Sequence, residues 1–262
     1  MAKGILNLRF KYLKENRQKA LVTYFMAGFP TYEKSKEIFL KLAEGGSDII
    51  EVGMPFSDPV ADGSIIQMAH EIAIRNGTRF KDVLNITEYI KSNYPNIPLL
   101  IMTYYNPILR IGVDRFCKLS KDQGVDGFIV PDLPPEEASD LKGYTTKYGL
   151  SLVMLASPTS TRERLEKICG VTDDIVYLVS VTGTTGAREI LPMENIKSKV
   201  REFREICSKP VVVGFGVSSK YHVKSICEFA DGVVVGSLLI KKVKEGKDVI
   251  ETVRELKSGT FI

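Results

Sequence analysis

Short continuous apolar runs alternate along this chain with longer segments whose apolar residues recur three and four positions apart. The runs are LVTYFMAG, DIIEVG, PLLIMTYY, DGFIVPD, SLVMLAS, IVYLVSV, PVVVGFG and DGVVVGS, each bounded by Gly, Pro, Asp or Ser. Their length and β-branched content mark them as strands. Unbroken apolar character implies cover on both faces, as in a parallel sheet. The intervening segments, such as 32–44 and 135–147, have a helical period with charges on the opposite side. Eight strand–helix units in 262 residues predict an α/β fold: a single-domain (β/α)8 barrel over residues 1–262, with an extra N-terminal helical segment.

Three helix-to-strand joins read alike: GGSDIIEVG, GVDGFIVPD and FADGVVVGS place Asp48, Asp126 and Asp231 just before a strand. They suit either a repeated unit or shared turn chemistry. An open doubly wound sheet is the structural rival, but neither G-x-G-x-x-G nor G-x-x-x-x-G-K-[ST] follows any strand. GFGVSS comes nearest, with Ser219 in place of the third glycine.

The 44% hydrophobic content and net charge of +4, with acids and bases interspersed, indicate neither a nucleic-acid stripe nor a membrane-binding segment. Small anionic ligands stay open. No apolar run approaches the ~20 residues of a membrane span, and the first twenty residues lack the apolar core of a signal peptide. The expectation is a cytoplasmic protein whose four cysteines, Cys117, Cys169, Cys207 and Cys227, stay reduced. Only two histidines occur, and no C-x-x-C pair, so no metal site is expected.

Candidate chemistry gathers at the C-terminal ends of the strands, the active face of such barrels. In DIIEVGMPFSDPVADG, Glu51 ends an apolar strand and Asp58 and Asp62 occupy the loop behind it. A buried carboxylate costs several kcal/mol, roughly, unless it is paired or its shifted pKa is used. The strand cores offer Glu51 no lysine or arginine. From position alone Asp62 is either catalytic or a helix N-cap, Asp58 suits a turn beside Pro59, and Tyr104 and Tyr177 read first as core aromatics with a polar end. GTTGA, GFG and GS follow the last three strands, so that Gly186, Gly214, Gly216, Gly236 and Ser237 would present backbone N–H groups to a phosphate. Two carboxyls beside a phosphate site suggest proton transfer on a phosphorylated metabolite, which isomerases, epimerases and aldol-type lyases all satisfy.

The stretch EVGMPFSDPVADG closely resembles the signature of the tryptophan synthase α-subunit family, and YFMAGFPT, IIQMAHEIAIRNG, MTYYNPILRIGVDRF, GVDGFIVPDLPPEE, YLVSVTGTTGAR, VVVGFGVSS and DGVVVGSLLIK follow in family order. The resemblance implies cleavage of indole-3-glycerol phosphate into indole and glyceraldehyde 3-phosphate. It makes Glu51 the acid/base and Asp62, nearer the solvent-facing loop, the second catalytic carboxylate. It sets Tyr24 and Tyr104 by the indole, Tyr177 near Glu51, and Gly186, Gly216, Gly236 and Ser237 on the phosphate. Tyr24 stands where many members have phenylalanine. Asp58 and Thr185 fall in the two loops that answer to a partner. That implied partner is the β subunit, in a complex of two α and two β chains. No cofactor is expected here, pyridoxal phosphate belonging to the β subunit. A stand-alone indole-releasing lyase and a non-catalytic activating subunit are the alternatives.

Overall fold

The computed structural model describes residues 4–179, 193–214 and 216–261. Its eight strands are β1 (Ala20–Met26), β2 (Ile49–Gly53), β3 (Leu99–Met102), β4 (Gly127–Ile129), β5 (Ser151–Ala156), β6 (Val176–Val179), β7 (Val211–Gly214) and β8 (Gly232–Val235). Each is hydrogen-bonded in parallel to its sequence neighbours, and β1 also pairs with β8. The sheet therefore closes into the expected barrel in the order β1 to β8. Nearly every strand residue is buried, as unbroken apolar runs require.

The helices among the described residues are α1 (Ile5–Glu15), α2 (Tyr32–Glu44), α3 (Ser64–Arg75), α4 (Phe80–Asn93), α5 (Tyr105–Ile111), α6 (Val113–Asp122), α7 (Ser139–Tyr148), α8 (Arg162–Val171), α9 (Met193–Ile206), α10 (Lys220–Cys227), α11 (Ser237–Lys244) and α12 (Ile250–Lys257). The periodicity over 32–44 becomes α2, whose N-cap Thr31 side chain accepts from Lys34 N–H. The helix expected over 135–147 starts later, at Ser139. Pro135 disfavours helical backbone at Pro134, and residues 134–137 form a turn closed by Glu137 N–H on Pro134 O, at 3.0 Å. Three helices, α3, α5 and α11, follow the C-terminal ends of β2, β3 and β8 and build up that face of the barrel.

The expected N-terminal segment is α1, which crosses the opposite end. It buries Leu6, Phe10 and Leu13, and Arg9 reaches Asn96 O at the entry to β3. Phe10 and Leu13 share a cleft with Cys207 and Pro210 ahead of β7.

The repeated aspartates prove to be ties. Asp48, Asp126 and Asp231 accept the N–H of Leu21, Leu99 and Val211 at 2.8, 2.9 and 3.0 Å. Each thus fastens the first turn of an odd-numbered strand to the lead-in of the even-numbered strand after it, satisfying an N–H the ladder leaves over. Asp173, in a join that lacks the pattern, does the same for Leu152 at 2.7 Å. Lys257, Lys91, Lys142 and Arg204 respectively pair with Asp48, Asp126, Asp173 and Asp231.

One expectation is overturned here. Cys169 and Cys207 form a disulfide with Cα atoms 5.9 Å apart, while Cys117 and Cys227 are buried thiols. α8 and α9 pack together, and their C-terminal ends bring the two residues within bridging distance. A separation of 38 residues carries no trace of that proximity.

Candidate active site

Glu51 sits in register beside Tyr24 on β1 and Leu100 on β3. The strand period turns its side chain into a small cavity at the C-terminal end of the barrel, with Tyr24, Asp62, Met102, Tyr177 and Val234 around it. It is 1% exposed, its Oε2 has no hydrogen-bond partner, and no lysine or arginine among the described residues pairs with it. Burial pushes its carboxyl up to about 8, so it carries a proton at neutral pH.

Asp62 is not near solvent, as its loop position suggests, but 1% exposed. Nor does it cap α3: the N-cap is Gly63, without a side-chain bond. Instead its Oδ2 accepts from the Tyr104 hydroxyl at 2.8 Å and lies 3.2 Å from His70 Nε2. Its Oδ1 is buried without a partner. The Tyr104 hydroxyl in turn accepts from Ala61 N–H at 3.0 Å, so the residue at the N-cap of α5 holds the loop that carries Asp62. The loop folds inward because Pro59 O accepts Asp62 N–H and the Gln67 side chain on α3 donates to Asp62 O.

The tyrosines occupy space that glycines make. A Cβ at Gly53 would stand 2.5 Å from the Tyr24 hydroxyl, one at Gly236 would stand 2.9 Å from the Tyr24 ring, and one at Gly214 would stand 2.2 Å from the Tyr177 hydroxyl. Gly214, a candidate phosphate residue by sequence, therefore serves to admit Tyr177. Both Tyr24 and Tyr177 are held well above the ordinary phenol range, first by burial and then by nearby carboxylates. The Tyr104 hydroxyl is raised by burial and by Asp62.

Gly216 and the Gly236–Ser237 pair line the same cavity. Gly216 has φ +77°, a conformation that favours glycine. Gly236 is the N-cap of α11 with no side-chain cap bond, which leaves first-turn N–H groups of the helix for an anion. Asp58 is exposed, beside Ser57 on the outer loop, and away from the cavity lining. Thr185 and Gly186 lie outside the described residues. His70 is the site residue that sequence reasoning passes over. Its one available signal is its position three residues after Gln67, on the same face of α3.

No group of three metal-ligating side chains occurs among the described residues, and no described helix is long and apolar enough to cross a membrane.

A family model for the tryptophan synthase alpha chain matches residues 10–259. The tryptophan synthase alpha chain of Aquifex aeolicus is 58% identical over 98% of each chain, and that of Methanosarcina barkeri is 44% identical over 99% of this chain and 98% of its own. A solved structure of Mycobacterium tuberculosis tryptophan synthase superposes with a TM-score of 0.92 at 36% identity, covering 98% of both chains. A glutamate in the middle of β2 rather than at its end, an inward-folded aspartate and an uncapped glycine-led helix around one cavity thus coincide with a match along almost the whole sequence, and the chain belongs to the tryptophan synthase alpha chain family.

Proposed function

We propose that the cavity performs retro-aldol cleavage of indole-3-glycerol phosphate to indole and glyceraldehyde 3-phosphate, a lyase step of tryptophan biosynthesis. The observation that carries this is Glu51, buried with an unpartnered Oε2 in the cavity that Asp62 also lines with an unpartnered Oδ1. Breaking the bond between indole C3 and the glycerol chain needs a sink for its electron pair, and protonation of C3 creates one. Glu51 delivers that proton. Asp62, as a carboxylate, accepts a hydrogen bond from the indole N–H through Oδ1 and stabilises the positive charge that develops on the ring. Glu51, now ionised, takes the proton from the chain hydroxyl as the carbon–carbon bond opens and the aldehyde forms. One carboxyl acts first as acid and then as base.

The remaining residues bind. The N–H groups of Gly216, Gly236 and Ser237 hold the phosphate, a role Gly186 would share. Tyr24 and Tyr104 flank the indole, and Tyr177 packs by Glu51. Indole is apolar and would escape from an isolated site, which favours a β subunit that receives it, in a complex of two α and two β chains. Pyridoxal phosphate works in that partner. Exposed Val60 beyond Asp58, Ile74 on α3 and Leu109 on α5 leave apolar side chains on the elements that follow β2 and β3, in keeping with such a docking face. The loops of Asp58 and Thr185 would answer to it, and the cytoplasm is the compartment such a biosynthetic step implies.

The test supplies indole-3-glycerol phosphate to the purified chain, with and without a β subunit, and assays indole. Release by the chain alone, accelerated by the β subunit, is expected. No indole under either condition would overturn the lyase reading in favour of a non-catalytic activator, and equal rates would leave a stand-alone lyase.

A further inference from the structure

α3 turns two side chains back onto the loop that precedes it. Gln67 donates to Asp62 O at 2.8 Å. His70, three residues on and 3% exposed, uses both ring nitrogens. Its Nδ1 accepts the N–H of Phe56 at 3.0 Å, and its Nε2 lies 3.2 Å from Asp62 Oδ2. A nitrogen that accepts a backbone N–H holds no proton, so the ring is the neutral tautomer with its hydrogen on Nε2, donating to Asp62. Tyr104 donates to the same oxygen. With both donors on Oδ2, Oδ1 is the oxygen left for substrate. Phe56 touches both donors, His70 through its N–H and Tyr104 through its ring, with centroids 5.3 Å apart.

We propose that His70 is a positioning residue: a rigid imidazole link between the backbone of the loop after β2 and the Asp62 carboxylate, through which a displacement of that loop sets the direction of Oδ1. The role assigned to Asp62 rests on the lyase reading, while the link itself is a matter of geometry. The loop carries Asp58 two residues beyond Phe56, so whatever seats on it has a route to the reacting ring through the His70 imidazole.

Asparagine and glutamine separate the two halves of the link. His70→Asn places an acceptor near Nδ1 and removes the donor to Asp62, whereas His70→Gln places an N–H near Nε2 and removes the acceptor for Phe56. His70→Asn should lower kcat for indole release roughly 10-fold or more, since a misplacement of about 1 Å costs up to ~100-fold, with KM within about 3-fold. In an Asp62→Asn background it should have no further effect. His70→Gln should recover most of the lost kcat but blunt the acceleration by the β subunit. Equal kcat losses in both variants that track their melting temperatures, or a full additional loss in the Asp62→Asn background, would overturn the proposal in favour of packing. Nitrogen-15 spectra of the imidazole, read without any substrate, should show the neutral Nε2–H form; a proton on Nδ1 would overturn the link directly. Failure of the wild type to release indole would overturn the lyase reading and leave that spectrum standing.

Discussion

At the N-terminal end of the barrel Asp48, Asp126, Asp173 and Asp231 each accept a strand N–H and face a lysine or arginine. At the C-terminal end Glu51 and Asp62 face neither among the described residues, and each has an oxygen without a partner. The same residue chemistry, carboxylate in a barrel of apolar strands, therefore has opposite consequences. Where a cation and an N–H compensate it, the charge fastens strands together, and losing it leaves a buried partner exposed to the full desolvation cost. Where nothing compensates it, burial displaces the titration of Glu51 and makes a proton available for transfer. One end holds the fold and the other does the chemistry, in line with the usual division between the faces of such barrels.

Removing the uncompensated acid should have the largest effect. Glu51→Gln keeps the shape but cannot exchange a proton, so indole release should fall ~100- to 10,000-fold, the span of a positioned acid/base. Stability should not fall with it. The wild-type carboxyl is raised to about 8 from 4.5, so between those values the folded chain holds a proton that the unfolded chain has released. This group's contribution is complete below pH 4.5 and is lost as pH rises towards 8. Glu51→Gln removes that loss: denaturant midpoints should match wild type below pH 4.5 and exceed it above 8. For the same reason wild-type turnover should decline as pH passes about 8. A variant that is destabilised yet active would mean the glutamate is structural and would erase the comparison.

At the other end the outcome inverts. Asp48→Ala orphans the Leu21 N–H and the Lys257 ammonium and should cost about 3–5 kcal/mol of stability, the scale for breaking a buried pair, with kcat of the folded fraction retained. Loss of turnover without loss of stability would show that the two ends are not separable. The disulfide between α8 and α9 belongs to the fastening end. Replacing Cys169 and Cys207 by serine should lower stability by about 2–4 kcal/mol and leave the pH profile of turnover in place; an unchanged denaturant midpoint would remove the bridge from the account. The smallest effect is expected from Tyr24→Phe. One neutral hydroxyl is worth about 1 kcal/mol, so kcat/KM should change by about 5-fold or less. A far larger loss would reveal a hydrogen bond from Tyr24 to the catalytic carboxyl, and Glu51 would no longer count as uncompensated.

Much of this is legible in one dimension. The eight apolar runs specify parallel strands because only cover on both faces tolerates unbroken hydrophobicity, and the strand–helix alternation then admits a closed barrel in sequence order. Glu51 stands out because an acid inside such a run has nowhere polar to go, although β2 runs two residues beyond it. The aspartates before β2, β4 and β8 are visible as a pattern, since local turn chemistry repeats in the sequence.

What the linear order leaves undetermined depends on how distant segments close on one another. Asp62 looks solvent-facing from its loop, and its burial arises only when Tyr104, 42 residues on, draws that loop inward. His70 is one polar residue on an amphipathic helix until α3 lies against Phe56 and Asp62. Gly214 suits a phosphate turn until the ring of Tyr177 is seen to need its missing Cβ. The pairing of Cys169 with Cys207 and the tie from Asp173 to β5 come from the packing of neighbouring units, for which spacing along the chain is no guide. Periodicity and residue type report what a side chain requires of its surroundings; which groups meet that requirement is set by the closure of the barrel, because burial and hydrogen bonding depend on distance in space.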